Sequence, residues 1–166
     1  ADVVLGDWIG INITTGRLLP PYDEDRTPDL PADAAFTVGE YPLVLRSSPV
    51  PWSKLYDKNY LRRNDVRFPT GDHSFEDNAF HWRALTASAD ATVVYVDTPV
   101  VMHTVGDARQ TTAGIDGADA EKLGGYFPNL DVIAKALIDH RRVSAHALRE
   151  FANFLSRSKW IVSRQQ

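Results

Sequence analysis

Two runs rich in β-branched residues constrain the fold of this chain more than any other feature. The first runs from Val3 to Ile13 and, although two glycines interrupt it, predicts a strand or a bent pair of strands. The second comprises Thr92–Val96 and Val100–His103, which Asp97-Thr98-Pro99 separates. That break predicts two short strands or one broken strand. A sheet is therefore one component of the fold.

A helix is predicted between the two runs. Ser74-x-x-Asp77 is a capping pattern, and the apolar residues that follow as far as Leu85 fall on one helical face. Residues 52–60 also place apolar side chains roughly at helical spacing before a short extended piece.

Two further helices are predicted at the end of the chain. Asn129 is expected to cap the first, and Ser144 the second, because each precedes a segment with an apolar stripe. We expect these helices to form a hairpin packed on the rest of the molecule.

The composition excludes several kinds of site and partner. The 166 residues include no cysteine, which rules out disulfides, thiolate zinc sites and cysteine nucleophiles. A net charge of -4 gives no broad basic field, so nucleic acid is a poor partner. No stretch has the length and apolarity of a membrane span. We expect a cytoplasmic protein, with association at a membrane surface as an open alternative.

Charge is unevenly distributed along the chain. Residues 1–40 carry eight acids against two arginines, whereas residues 141–166 carry six basic residues against one acid. The basic end suits contact with anionic lipid or with another subunit. The alternative, a solvated helix face, is the commoner arrangement.

Glu76 and Asp77 lie where a turn becomes a helix, and two interpretations apply to them. Acids in a first helical turn complement the helix dipole, and Asp77 suits a capping box with Ser74. Alternatively, one carboxylate is a general base that faces a cleft and the other supports it. Spacing alone favours the structural interpretation.

Other candidates for chemistry are a histidine, a donor-rich loop and the tryptophans. A lone histidine such as His103, at the end of an apolar run, is more often structural than a metal ligand. Arg109 and Gln110 offer donors to phosphate oxygens or simply solvate a turn. Trp52 and Trp82 suit packing, or stacking on a sugar ring if they are exposed near carboxylates.

The order of these motifs resembles a known family. The stretch PWSKLYDKNYLRRNDVRFPTGDHSFEDNAFHWRAL is similar to the region of family 2 glycosyltransferases in which Trp-x-Lys-Leu-Tyr precedes a Phe-Pro-x-Gly turn and a Glu-Asp pair at a helix start. ADVVLGDW resembles the strand after the family's nucleotide-binding half, and PVVMH with GDARQTT resembles its later strand and loop. The resemblance covers residues 1–115 and leaves residues 116–166 as a C-terminal helical extension.

The resemblance implies an α/β fold and a transferase activity. The fold would be part of a GT-A domain, a Rossmann-like mixed sheet with flanking helices, followed by a C-terminal helical hairpin. The activity would be inverting transfer of a sugar from a nucleotide-sugar donor to a saccharide or lipid-linked acceptor, as in bacterial polysaccharide synthesis. The chain begins in a strand, which we interpret as a cut inside a larger domain, so the nucleotide-binding half would precede Ala1. We expect this fragment alone to be inactive.

The family's functional residues carry over at matching positions. Asp77 would be the base that deprotonates the acceptor hydroxyl, and Glu76 its supporting carboxylate. His103 would be a ligand or close neighbour of the divalent metal, Mn²⁺ or Mg²⁺, that binds the donor diphosphate. The other implied contacts are to the donor (Gly71, Asp72, Arg109 and Gln110) and to the acceptor (Trp52, Lys54 and Trp82).

The chain departs from the family pattern in two places, and two alternative functions stay open. Thr104 follows His103 where relatives often have arginine. Residues 23–25, Asp-Glu-Asp, have the letters of the family's metal motif but follow the first strand among prolines, so we do not interpret them as the metal site. The alternatives are a non-catalytic binding fragment of a glycosyltransferase and a metal-dependent hydrolase that activates water with Glu76, Asp77 and His103.

Overall fold

A mixed five-stranded sheet organises the part of the chain that the computed structural model describes, which is residues 1–21, 23, 29–71, 75–106, 126–139 and 144–163. The strands are β1 at Val3–Asn12, β2 at Leu18–Pro21, β3 at Ala35–Thr37, β4 at Lys54–Tyr56 and β5 at Thr92–Val105. The order is β2-β1-β5-β3, and β1 and β5 run parallel. Strand β4 pairs antiparallel with β1 near the amino-terminal end of β1.

The second β-branched run forms one long strand. β5 has 14 residues and follows β1 in parallel along the whole length of β1. The register between them shifts where β5 passes Asp97-Thr98-Pro99. Proline has no N–H to donate to the ladder, so an irregularity at this point is physically expected. His103 lies within the strand, opposite Gly10 of β1, and not at its end.

Four helices accompany the sheet in the described ranges: α1 at Lys58–Arg63, α2 at Glu76–Thr86, α3 at Tyr126–Asp139 and α4 at Ala145–Ser163. Pro42–Arg46 and Pro51–Ser53 are short 3₁₀ helices. Helices together with a mixed sheet confirm the general α/β class.

The helix starts agree with the sequence at one position and differ at two. Ser144 caps α4, because its Oγ accepts a hydrogen bond from the Ala147 N–H at 3.2 Å. Asn129 does not cap α3, which begins at Tyr126 and buries Asn129. Helix α2 begins at Glu76 after Phe75, a left-handed residue at φ 70° that makes no side-chain cap bond. Ser74, the predicted cap of α2, lies outside the described residues.

Helices α2 and α3 pack together over the sheet. Trp82 and Leu85 of α2 share the hydrophobic core with Ile133 and Leu137 of α3, and Val93 of β5 belongs to the same cluster. Helix α3, the first of the two predicted terminal helices, therefore packs on α2 and the sheet. No helix in those ranges is both long and apolar enough to span a bilayer.

One ion pair ties α4 to the first 3₁₀ helix. Arg46 donates from Nε and Nη2 to the two carboxylate oxygens of Glu150, at 2.6 and 2.8 Å. Glu150 is buried, and the two hydrogen bonds from Arg46 stabilise its ionised carboxylate there.

Candidate functional site

Asp77 lies in the first turn of α2, directly after Glu76, and its side chain is half-buried. Burial, and after it the neighbouring charge of Glu76, raise the pKa of Asp77 to about 6, while the ammonium of Lys54 opposes that rise. A carboxyl with this pKa is ionised at neutral pH and more basic than an ordinary aspartate. Those are the properties that a general base requires.

Lys54 is buried in β4, and its ammonium has fixed partners. Nζ donates to the carbonyl oxygens of Ser48 and Val50, the second at 2.7 Å. Burial lowers the pKa of Lys54 to about 8, because the charged ammonium loses water. Nearby acids oppose this loss, in the order Asp23, Asp77 and Asp7. The ammonium is therefore still protonated at neutral pH.

Asp7 and Asp23 complete a buried charged cluster around Lys54. Asp23 accepts the Ser48 N–H with both carboxylate oxygens at 2.8 Å. Asp7 Oδ1 accepts the Trp8 N–H at 2.6 Å and the Asp23 N–H at 3.3 Å. We name Asp7, Asp23, Lys54 and Asp77 the charged cluster.

Sequence reasoning missed both of these buried acids. For Asp7 a signal existed, since it is a charged residue inside an apolar strand run. Asp23 belongs to the Asp-Glu-Asp run that we do not interpret as the metal site, and its carboxylate holds the backbone N–H of Ser48.

Two buried polar side chains border the charged cluster. The Tyr56 hydroxyl finds no hydrogen-bond partner among the described residues. Burial and the charge of Asp77 raise the pKa of Tyr56 well above its usual range. His81, one helical turn after Asp77, is fully buried, and neither ring nitrogen has a hydrogen bond of normal geometry in the described part of the chain. Burial and the charge of Lys54 hold its pKa well below the ordinary value, so the ring is neutral.

An aromatic group links the Trp-x-Lys segment to β5. Trp52 stacks on His103 with ring centroids 4.7 Å apart and an angle of 21° between planes. Trp8 meets both rings edge-on, at 5.2 Å from Trp52 and 5.6 Å from His103. Trp52 remains 39% exposed, which leaves part of its surface open to a ligand. Because Lys54 follows Trp52 by two residues, this group and the charged cluster are joined by one short segment.

An open cleft of about 740 Å³ adjoins the cluster between β4 and α1. Its volume falls within the usual range of ligand sites. Lys54 and Tyr56 line it together with three further basic residues, Lys58, Arg62 and Arg67.

Of the remaining predicted site residues, one lies in the core, one is exposed and three are not described by the structure. Trp82 is 2% exposed and packs against Phe151 and Phe154, so it is a core residue and no ring face is available to an acceptor. Gly71 is exposed with φ 114°, a backbone conformation that favours glycine. Asp72, Arg109 and Gln110 lie outside the described residues.

The expected divalent metal would need several oxygen or nitrogen ligands. In the described ranges, no three His, Asp or Glu side chains are grouped so that they could hold an ion. His103 contributes its ring to the stack with Trp52. The described residues do not form a complete metal site by themselves.

The chain matches no protein-family model, and no curated protein matches it significantly.

Proposed function

We propose that this chain is the acceptor-side part of an inverting glycosyltransferase that resembles family 2. The observation that carries the proposal is that motifs far apart in sequence interact. Lys54 and Tyr56 of the Trp-x-Lys-Leu-Tyr segment both interact electrostatically with Asp77 of the Glu-Asp pair. Trp52 of the same segment stacks on His103. Proximity of these motifs in the folded chain is what the resemblance implies, and it supports the proposal.

The Phe-Pro-x-Gly motif also contacts helix α2. Phe68, which opens Phe-Pro-x-Gly, stacks on Phe80 of α2 with ring centroids 4.0 Å apart and planes at 3°. Tyr56 meets Phe80 edge-on at 5.1 Å. These rings fix the position of α2 relative to β4, and with it the position of Asp77.

In the proposed reaction Asp77 accepts the proton of an acceptor hydroxyl. The acceptor oxygen forms a bond to the anomeric carbon of the donor, the bond from that carbon to the diphosphate oxygen breaks, and the nucleoside diphosphate leaves with the electron pair. Attack on the face opposite the leaving group inverts the anomeric centre. No covalent enzyme intermediate is required.

The acceptor would bind near Trp52 and the cleft beside β4. An exposed indole suits the apolar face of a sugar ring, and the cleft has the volume of a small ligand site. The basic lining of the cleft favours an acceptor with negative charge, such as a phosphate-linked lipid or sugar. The donor contacts assigned to Asp72, Arg109 and Gln110, and the metal, come from the resemblance alone.

The test is transfer from a panel of nucleotide-sugars to saccharide and lipid-phosphate acceptors, assayed with the natural protein that carries this sequence. The proposal expects a product with inverted anomeric configuration, determined by NMR. Donor binding without transfer to any acceptor would support the non-catalytic alternative. Phosphoester hydrolysis that needs no acceptor would support the hydrolase.

A further inference from the structure

The cleft between β4 and α1 is basic, although the chain as a whole is acidic. Its lining includes Lys54, Lys58, Arg62 and Arg67 and no acidic side chain. The complete sequence, by contrast, has a net charge of -4. Cleft walls of one charge sign concentrate the electric field and raise the local concentration of ions of the opposite sign. The cleft therefore attracts anions, although the net charge of the chain repels them.

Three of these four cations are open to a ligand. The ammonium of Lys54 is already held by two backbone carbonyls. In the described part of the chain, the exposed side chains of Lys58 and Arg62 make neither a hydrogen bond nor an ion pair. Arg67 contacts the exposed Asp65 through Nε at 2.8 Å, and this contact does not use its two Nη atoms. The charges of these three side chains are thus largely unmatched within the described residues.

Helix α1 presents Lys58 and Arg62 to the cleft one turn apart. Residues four positions apart lie on the same helical face, and Leu61 beside them also lines the cleft. On the opposite side of the helix, Tyr60 is buried, and its hydroxyl donates to the Ala84 carbonyl oxygen at 2.8 Å. This anchor fixes the orientation of α1, so that the two cations face the cleft.

The turn after α1 brings Arg67 back to the same cleft. The Val66 N–H donates to the Leu61 carbonyl oxygen at 2.9 Å, which folds the turn against the helix. Arg83 of α2 donates to the carbonyl oxygens of Asp65 and Arg67, at 2.6 and 3.0 Å. These bonds hold the backbone of the turn before any ligand binds, which lowers the conformational cost of binding.

We propose that Lys58, Arg62 and Arg67 form a binding site for a phosphate monoester. The two guanidinium groups offer paired N–H donors in a plane, and the ammonium adds a compact charge, which together suit the oxygens of a terminal phosphate. Above pH 7 a phosphate monoester carries close to two negative charges, because its second pKa is about 6. A sulfate ester carries only one. Three cations therefore favour the phosphate.

The bound phosphate would belong to the acceptor of the proposed transferase. That role rests on the proposed function, whereas the binding itself does not. Two kinds of acceptor carry this group, a sugar phosphate and a phosphorylated lipid. The cleft also has apolar side chains for the rest of the ligand, since Leu61 and Val66 line it together with Leu55, which is 73% exposed.

The first test is an NMR titration of the ¹⁵N-labelled 166-residue chain at pH 7.5 and constant ionic strength. The ligands are hexyl phosphate, glucose 1-phosphate and hexyl sulfate. The phosphate esters should shift the amide signals of α1 and of the turn after it to saturation, and hexyl sulfate should bind roughly fivefold more weakly than hexyl phosphate. Tighter binding of hexyl phosphate than of glucose 1-phosphate identifies a lipid ligand, and the reverse order identifies a sugar phosphate.

The second test uses a matched pair of variants, Arg62→Gln and Arg63→Gln. Both residues are exposed in the last turn of α1 and each change removes one positive charge, but only Arg62 lines the cleft. Arg62→Gln should weaken binding of hexyl phosphate roughly fivefold, and Arg63→Gln should leave it unchanged. If Arg62→Gln lowers the melting temperature, Lys58→Gln repeats the test from the other position on the helix.

Two results would overturn the site. Equal weakening by Arg62→Gln and Arg63→Gln would show that the anion responds only to net charge. Hexyl sulfate that binds as tightly as hexyl phosphate would show that the second charge is not recognised. These titrations need no transferase activity. Phosphate binding at the cleft without any sugar transfer would refute the proposed function and keep the site, so the two failures are distinguishable.

Discussion

At the scale of single residues, Asp77 shows a conflict between stability and reactivity. Its pKa is about 6 in the folded chain and ordinarily 3.8. Between these two values the folded state binds more protons than the unfolded state, so stability falls as the pH rises. Above pH 6 the half-buried carboxylate lowers the free energy of unfolding, and the positive charge of Lys54 offsets only part of this loss.

Asp77→Asn should therefore lower the transfer rate and raise the stability of the chain. Asparagine cannot take a proton, and we expect transfer to fall by roughly 10²- to 10⁴-fold in the active protein. The same substitution should stabilise the chain at pH 7.5 by about 1 kcal/mol, a value well below the full linkage because water screens a partly exposed group. At pH 4 the difference should vanish.

Chemical denaturation at both pH values, together with initial transfer rates, checks this. An equal loss of stability at pH 4 and pH 7.5 with normal transfer would identify Asp77 as a structural helix residue.

Residue roles were predictable only where a motif carried them. Asp77, Lys54 and Trp52 were singled out from the resemblance, and their contacts support the proposal made for them. Asp7 and Asp23 were not singled out, because their partners are distant in sequence: Asp23 reaches back to Asp7 and forward to Ser48. Such contacts follow from the tertiary fold and leave no local periodicity.

At the scale of secondary-structure elements, β1 and β5 approach closely where their register shifts. A Cβ added to Gly6 would lie 2.5 Å from Val100 Cγ2, closer than real side chains permit. Glycine is therefore required here for space, whereas Gly10, beside the Leu19 side chain at 3.0 Å, is less constrained.

We expect Gly6→Ala to destabilise the chain by about 1–2 kcal/mol, because the methyl group overpacks this contact. Val100→Ala alone should cost little, since Val100 is half-exposed. In the double variant the two Val100 methyl groups are gone and only the approach to Cβ of residue 100, at 3.2 Å, remains, so the loss should be smaller than for Gly6→Ala. Urea unfolding of the unaltered chain, the two single variants and the double variant measures this interaction. If the two effects simply add, the close approach does not determine the residue at position 6.

Elements were predictable where local signals agreed with tertiary contacts. The run from Val3 to Ile13 became β1, and Ser144 caps α4 as predicted. Residues 52–60 had helical spacing, yet they form a 3₁₀ helix, β4 and the start of α1. Pairing of Lys54–Tyr56 with β1 overrides the local preference. Asn129 has a side chain suited to capping a helix, but α3 begins one turn earlier, at Tyr126.

At the scale of the whole molecule, the buried Lys54 gives stability an unusual dependence on pH. Its folded pKa is about 8, below the ordinary 10.5. Between these values the unfolded state binds the proton that the folded state has released, so stability rises with pH. Most proteins are most stable nearer neutrality.

We expect the free energy of unfolding to be about 2 kcal/mol higher at pH 9.5 than at pH 7.5 from this group alone. Lys54→Met should abolish the gain, and Lys58→Met should retain it. The measurement stays below pH 10, because Tyr56 and Tyr60 keep their protons in the folded chain and reverse the trend at higher pH. A flat or falling profile in the unaltered chain would contradict a charged, buried Lys54.

The parallel pairing of β1 with β5 also has a consequence for how the molecule folds. Residues 13–91 form the connection between these two strands, and both Lys54 and Asp77 lie inside it. Closing so long a loop costs chain entropy before any strand contact repays it, which makes such topologies slow to fold. The refolding rate should be limited by this closure, and the charged cluster can assemble only once the connection has been drawn against the sheet. A newly made chain would therefore acquire its helices well before it acquires its site.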